Sequence, residues 1–189
     1  MGTRAEAAQR TREVVLDAAE EAFADRWFDE VTLADVARVA GVSQQTVVNH
    51  FGSKENLYLT GIAERFAPRI QQVRAGLRSG DVRSLAATAV ADYEHSGVAT
   101  LRAMALADRY PTLNQVIEGG RRSHREWVAG GLDPLLESIP PPARDRIVRL
   151  VAVAVDVRTW QQLREDRTPD QVVDDMVELI TAIITHEAD

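Results

Sequence analysis

Apolar residues recur at helical spacing along most of this chain, and the pattern is most sharply punctuated between Thr32 and Lys54. In TLADVARVAGVSQQTVVNHFGSK, Leu33, Val36, Ala37 and Ala40 share one helical face. Gly41 then interrupts the pattern where two short helices need a tight turn. Small Ala37 lets the helices cross closely, Gly41 is free to take a positive φ, and Val42 and Val47 fill the angle between them. The spacing predicts a helix-turn-helix. Outward on its second helix stand Gln44, Gln45, Thr46, Val48 and Asn49, with lengths and donor-acceptor groups that suit base edges and phosphates. A face meant only for solvent is usually rich in Lys and Glu, whereas Ser43 to His50 carry no charge.

The flanking pattern is helical throughout, with no β-alternation. Thr3 with Glu6 forms a capping box for a first helix whose apolar positions are Val15, Leu16, Ala19, Ala22 and Phe23, ending near Asp25. Trp27 and Phe28 are expected to seal its end. Thr32 with Asp35 is a second box that opens the helix-turn-helix. Arg4, Arg10 and Arg12 alternate with Glu6 and Glu13, which reads as a solvated helix end or as a DNA-grasping arm. After Gly52, Ser53 caps another helix with Lys54 in its first turn. A cation there opposes the macrodipole, so it is either a lone surface lysine or a partner for a phosphate bound at that helix start. Pro68 should kink this helix, and the stretch from Ser53 to Ser79 is expected to be the only covalent lever between an N-terminal and a C-terminal half.

Further helices are expected over Val82 to His95, Val98 to Asp108, Pro111 to Ser138, Pro142 to Glu165 and Pro169 to Glu187. The breaks are assigned to Gly97, Pro111, Pro140-Pro141-Pro142 and the Thr168-Pro169-Gln171 box. The last helix carries a wide apolar stripe of Val172, Val173, Met176, Val177, Leu179, Ile180, Ile183 and Ile184, and the one before it is apolar nearly all round from Ile147 to Val157. That surplus predicts a twofold homodimer through these two helices.

Composition sharpens the picture in three places. Net charge is −7, which argues against a strong non-specific grip on a polyanion, but Arg38 to Lys54 holds two basic residues and no acidic one. With no cysteine, neither a disulfide framework nor a thiolate metal site is available, in keeping with a reducing cytoplasm. The N-terminus lacks the apolar core of a signal peptide, and the longest apolar run, Leu150 to Val155, is too short to span a membrane.

TLADVARVAGVSQQTVVNHFGSKENLYL, with a helix before it and helices after it, resembles the TetR family of bacterial transcriptional regulators over residues 10–66. The resemblance implies an all-α chain with an N-terminal three-helix DNA-binding domain, placed here at 1–52. A larger helical ligand-binding and dimerisation domain, placed at 53–189, would follow. It also implies a homodimer on an inverted-repeat operator in double-stranded DNA, and repression relieved by a small-molecule effector. By matching position, Thr32, Gln44, Gln45, Thr46, Asn49, His50 and Lys54 form the DNA-contacting set, to which Ser43 is added. The family often has Gly where Gln45 stands and Tyr where Val48 stands. The missing tyrosine removes a usual phosphate contact, and Gln45 adds a possible base reader.

No catalytic constellation is present: His50, His95, His124 and His186 are scattered, and no HExxH, Gly-rich phosphate loop or nucleophile elbow occurs. Neither a cofactor nor a metal is expected. The rival reading is a helical carrier or sensor that binds an apolar ligand without acting through DNA. Tyr93, Met104, Trp127 and Trp160 are the candidate ligand contacts, each with ordinary core packing as its alternative. Asp156, alone in an apolar run, is either a polar pocket element or a partner for Arg149 or Arg158 across the dimer.

Overall fold

The computed structural model describes residues 3–188, and their regular structure is entirely helical. The order is α1 (Arg4–Asp25), α2 (Leu33–Ala40), α3 (Gln44–Phe51), α4 (Lys54–Gly61), a π-helical turn (Ile62–Phe66), α5 (Ala67–Arg74), α6 (Val82–Leu106), α7 (Pro111–Leu132), α8 (Pro141–Ala154), α9 (Val157–Leu163) and α10 (Pro169–Ala188). A short 3-10 turn, Asp133–Leu135, follows α7. No helix among the described residues is long and apolar enough to cross a membrane.

Local chemistry sets the N-terminal boundaries. Both capping boxes form: Thr3 exchanges bonds with Glu6, and Thr32 accepts from the Asp35 N–H while the Asp35 carboxylate accepts from the Thr32 N–H. Gly41 ends α2 at φ 68° and ψ 29°, a left-handed conformation that costs a glycine nothing, and its N–H returns to Ala37 and Arg38. Ser43 and Ser53 cap α3 and α4 through the N–H groups of Thr46 and Asn56. Proline has no N–H to give its own helix, and Pro68 comes two residues after the end of the π turn, which Ala67 closes by donating back five residues to Ile62.

The chain forms two compact units. The first runs to Arg69 and also takes in Arg102–Val116. Its core joins Val15, Leu16, Ala18 and Ala19 of α1 with Val31, Val36, Ala37, Val47, Phe51 and Leu57, while Leu33, Ala40 and Val42 pack against it half-buried. Beside it, Phe28, Leu106 and Leu113 form a smaller cluster edged by Phe23, Tyr58 and Tyr110. The four aromatic rings meet at 5.0–5.8 Å, and burial pushes the Tyr58 hydroxyl up to about 12. Trp27, expected beside Phe28, stays largely exposed. The second unit comprises Ile70–Leu101 with Ile117–Asp189. The chain therefore passes between units three times, within α5, α6 and α7, rather than through one lever.

Three sequence-level breaks are corrected. Gly97 lies inside a continuous α6, where a Cβ would meet the Trp160 ring at 2.5 Å; the glycine serves close packing and does not end a helix. The stretch expected as one helix from Pro142 to Glu165 is two, because Val155 leaves helical geometry and Asp156 N-caps α9, accepting from the Arg158 N–H at 2.9 Å. The long middle helix stops at Leu132 rather than continuing to Ser138.

The apolar stripe of α10 also divides. Val172, Met176 and Ile180 are fully buried where α10 packs on α8, whereas Leu179 is 42% exposed, as are Val153 (65%) and Leu150 (39%) of α8.

Candidate nucleic-acid interface

The outward face of α3 is built from amides. Gln44, Gln45 and Asn49 are exposed, Thr46, Val48 and His50 half-buried, and Val47 and Phe51 anchor the helix in the core. Gln45 Nε2 donates to Asn49 Oδ1 at 2.9 Å, one turn along, which holds the two amides as a unit. The remaining Gln45 oxygen and N–H are an acceptor and a donor side by side, the pair that matches the adenine edge in a major groove. Ser43 Oγ lies 2.8 Å from Thr46 Oγ1 and caps α3, so these hydroxyls fix the start of the reading helix. Thr32 is exposed, but its hydroxyl is engaged with Asp35 at 2.8 Å, and this bond leads in holding the Asp35 carboxyl below its usual range.

Lys54 has a partner inside the protein. Its Nζ donates to the Phe28 carbonyl at 2.9 Å and sits 4.4 Å from the centre of the Phe28 ring. The cation at the start of α4 is thus explained without a phosphate, although an ammonium retains two further N–H donors.

Residues of α1 brace the reading unit from behind. Arg12 grips Glu64 with two bonds of 2.6 Å and stands 5.6 Å over the Phe51 ring; Arg65 pairs with Glu13 and Asp17; Arg69 meets Glu20 at 2.5 Å. Arg12 is therefore engaged with Glu64 and Phe51 and is not extended as an arm. Its bonds hold the Glu64 carboxyl below the usual range, as those of Arg65 hold Glu13. Nothing local in the sequence marks these pairs, whose members are about fifty positions apart.

The five candidate ligand contacts do not form one group. Met104 falls in the first unit, and Tyr93, Trp127, Asp156 and Trp160 fall in the second. Tyr93 donates to the Val155 carbonyl at 3.1 Å and Trp160 Nε1 to Glu94 at 2.9 Å, so their polar atoms are used in packing. Asp156 is half-buried and caps α9, accepting from the Arg158 N–H. Trp127 differs: its ring is covered by the Arg74 guanidinium at 5.0 Å, Arg74 is paired with buried Asp92 at 3.2 Å, and Trp127 Nε1 is buried with no partner among the described residues. His124, one turn before it on α7, is buried and was not legible as a site residue, although the i, i+3 spacing puts both on one face.

Residues 15–60 match the family model described as bacterial regulatory proteins, tetR family. Over this stretch the chain is similar to the TetR family. It is 45% identical over 67 residues to the HTH-type transcriptional regulator AlkX of Mycobacterium tuberculosis, a match covering 35% of this chain and 31% of that protein, so less than a third of that relative's length is matched. The fold is shared over nearly the whole chain with a TetR-family transcriptional regulator from Mesorhizobium loti MAFF303099 (TM-score 0.71, 19% identity, 98% of each chain). SmeT in its complex with triclosan is also similar in fold (TM-score 0.64, 16% identity, 94% of this chain and 91% of that one).

Proposed function

We propose that this chain is a TetR-family, sequence-specific DNA-binding transcriptional regulator. It would act in the cytoplasm as a homodimer on an inverted-repeat operator, and a small apolar or amphipathic ligand would release it. The observation that carries the reading is the pair of amides, Gln45 and Asn49, joined and exposed on a doubly capped α3 whose outward face bears no acidic residue. Gln44, Thr46, His50 and Lys54 flank that pair as phosphate or base contacts, with Ser43 and Thr32 at the helix starts. The exposed Val153, Leu150 and Leu179 on α8 and α10 support association of two copies there. The complex of SmeT with triclosan supports a ligand of apolar or amphipathic character.

A ligand changes DNA affinity only if it binds two arrangements of the protein unequally. Three helices cross between the units, and the ends of α6 and α7 carry Leu106 and Leu113 into the cluster around Phe28 and Tyr58, next to the lysine that starts α4. A shift of either helix would therefore reach the reading unit directly. In vitro selection from random duplexes tests the function: an enriched inverted repeat with half-sites about 10 base pairs apart, or a multiple of that, is expected. Enrichment of no sequence would leave the carrier reading in its place.

A further inference from the structure

We infer that His124 and Trp127 form the recognition point for a neutral hydroxyl group on the effector, a phenol or alcohol rather than a carboxylate. The inference rests on the reading of the chain as a ligand-released regulator. His124 Nε2 lies 3.0 Å from the Ala152 carbonyl oxygen. A carbonyl only accepts, so Nε2 carries the proton. Burial is the main cause that lowers the His124 pKa, which keeps the ring neutral near pH 7. Nδ1 is then a bare lone pair, and it has no partner among the described residues. Trp127 Nε1–H, on a ring whose centroid is 5.9 Å away, is a buried donor also without a partner. Leaving both unpaired is costly, so this packing is held at the expense of two hydrogen bonds.

One acceptor and one donor are what a single hydroxyl complements, donating to Nδ1 and accepting from Nε1–H. Charge excludes the anionic alternative. Arg74, whose guanidinium lies over the Trp127 ring, is already neutralised by Asp92, and a carboxylate oxygen would face the His124 lone pair. The neighbouring rings of His124 and Trp127 offer the apolar surface beside these atoms. Neither orphan atom is reached by water, so the ligand enters by parting the side chains around α7. It therefore binds the parted arrangement more tightly than the closed one, which is the differential affinity an effector needs.

The test compares alkylphenols, from 4-ethylphenol to 4-tert-butylphenol, with their methyl ethers and with 4-ethylbenzoate, using full-length protein. Affinity is read by calorimetry, and the Trp127 indole N–H signal, assigned through Trp127→Phe, is followed by 1H–15N NMR. The phenols should bind roughly tenfold more tightly than the ethers and move the Trp127 signal downfield. The benzoate should not bind. His124→Phe, which keeps the ring and removes the acceptor, should bring phenol and ether within about twofold of each other. Equal affinity of phenol and ether in the unaltered protein, no binding by any phenol, or tighter binding of the benzoate overturns the inference whether or not the variants fold. Operator binding separates the two readings. Phenol and ether that weaken it equally would keep the effector and remove the hydroxyl site. A phenol that moves Trp127 yet leaves operator affinity unchanged would keep the site and remove the effector role.

Discussion

Gln45 Nε2 donates to Asn49 Oδ1 across one turn of α3, so the two exposed amides of the reading helix act as one body. Replacing either by Ala should cost about 1–3 kcal/mol on the operator and little on random DNA. Because each alanine also frees the other amide, the double variant should lose less than the sum, by about 0.5–1 kcal/mol. A filter-binding cycle on both duplexes measures this. Strict additivity would mean that the amides act independently, and equal losses on both duplexes would mean that neither reads sequence.

Lys54 joins α4 to the Phe28 cluster through a hydrogen bond and a cation-π contact. Lys54→Ala should therefore lower stability by about 1–2 kcal/mol in urea unfolding. If the remaining donors hold a phosphate, the same variant should lower the salt slope of DNA binding by about one unit. A stability loss with an unchanged slope would restrict Lys54 to the anchor, and no stability loss would remove the anchor.

The carboxyls of Glu64, Glu13 and Asp35 are held low chiefly by bonds from Arg12, Arg65 and Thr32. Groups depressed in the folded state contribute stability that is fully present above their unfolded values, about 4 for these acids, and lost as pH falls through the folded ones. Melting of the full chain should thus shift downward on acidification below about pH 4.5. Arg12→Gln should reduce part of that shift; an identical profile in the variant would show that the Arg12–Glu64 pair carries no linkage.

The split stripe of α10 decides how dimerisation is tested. Ile180 is fully buried within the chain, so Ile180→Asp should unfold it through an unpaired buried charge. Leu179→Asp and Val153→Asp, at exposed positions, should instead yield a folded monomer by sedimentation. A parent protein that is already monomeric at micromolar concentration, or variants that stay dimeric, would move the interface elsewhere.

What the sequence showed and what it hid follows the reach of the interactions. Gly41, Thr32 and Ser53 act on backbone groups within a few residues, and their roles were legible from spacing alone. Gly97 was misread as a break because its reason, the Trp160 ring, lies 63 positions away. Asp156 looked like a misplaced polar residue in an apolar run, yet it is a cap that splits the run into two helices. For the same reason, spacing did not reveal the partners of Arg12 and His124: Glu64 and the Ala152 carbonyl are brought to them only by the tertiary fold.

Whether α3 reads sequence is decided by the affinity of the full chain for the duplex upstream of its own coding region. A scrambled duplex of the same composition serves as the control, and both are measured at physiological salt and across a salt series. Binding to the upstream duplex should be at least about 10³-fold tighter than to the scrambled one, with the difference surviving as salt rises. Equal affinity for the two at every salt concentration would contradict it.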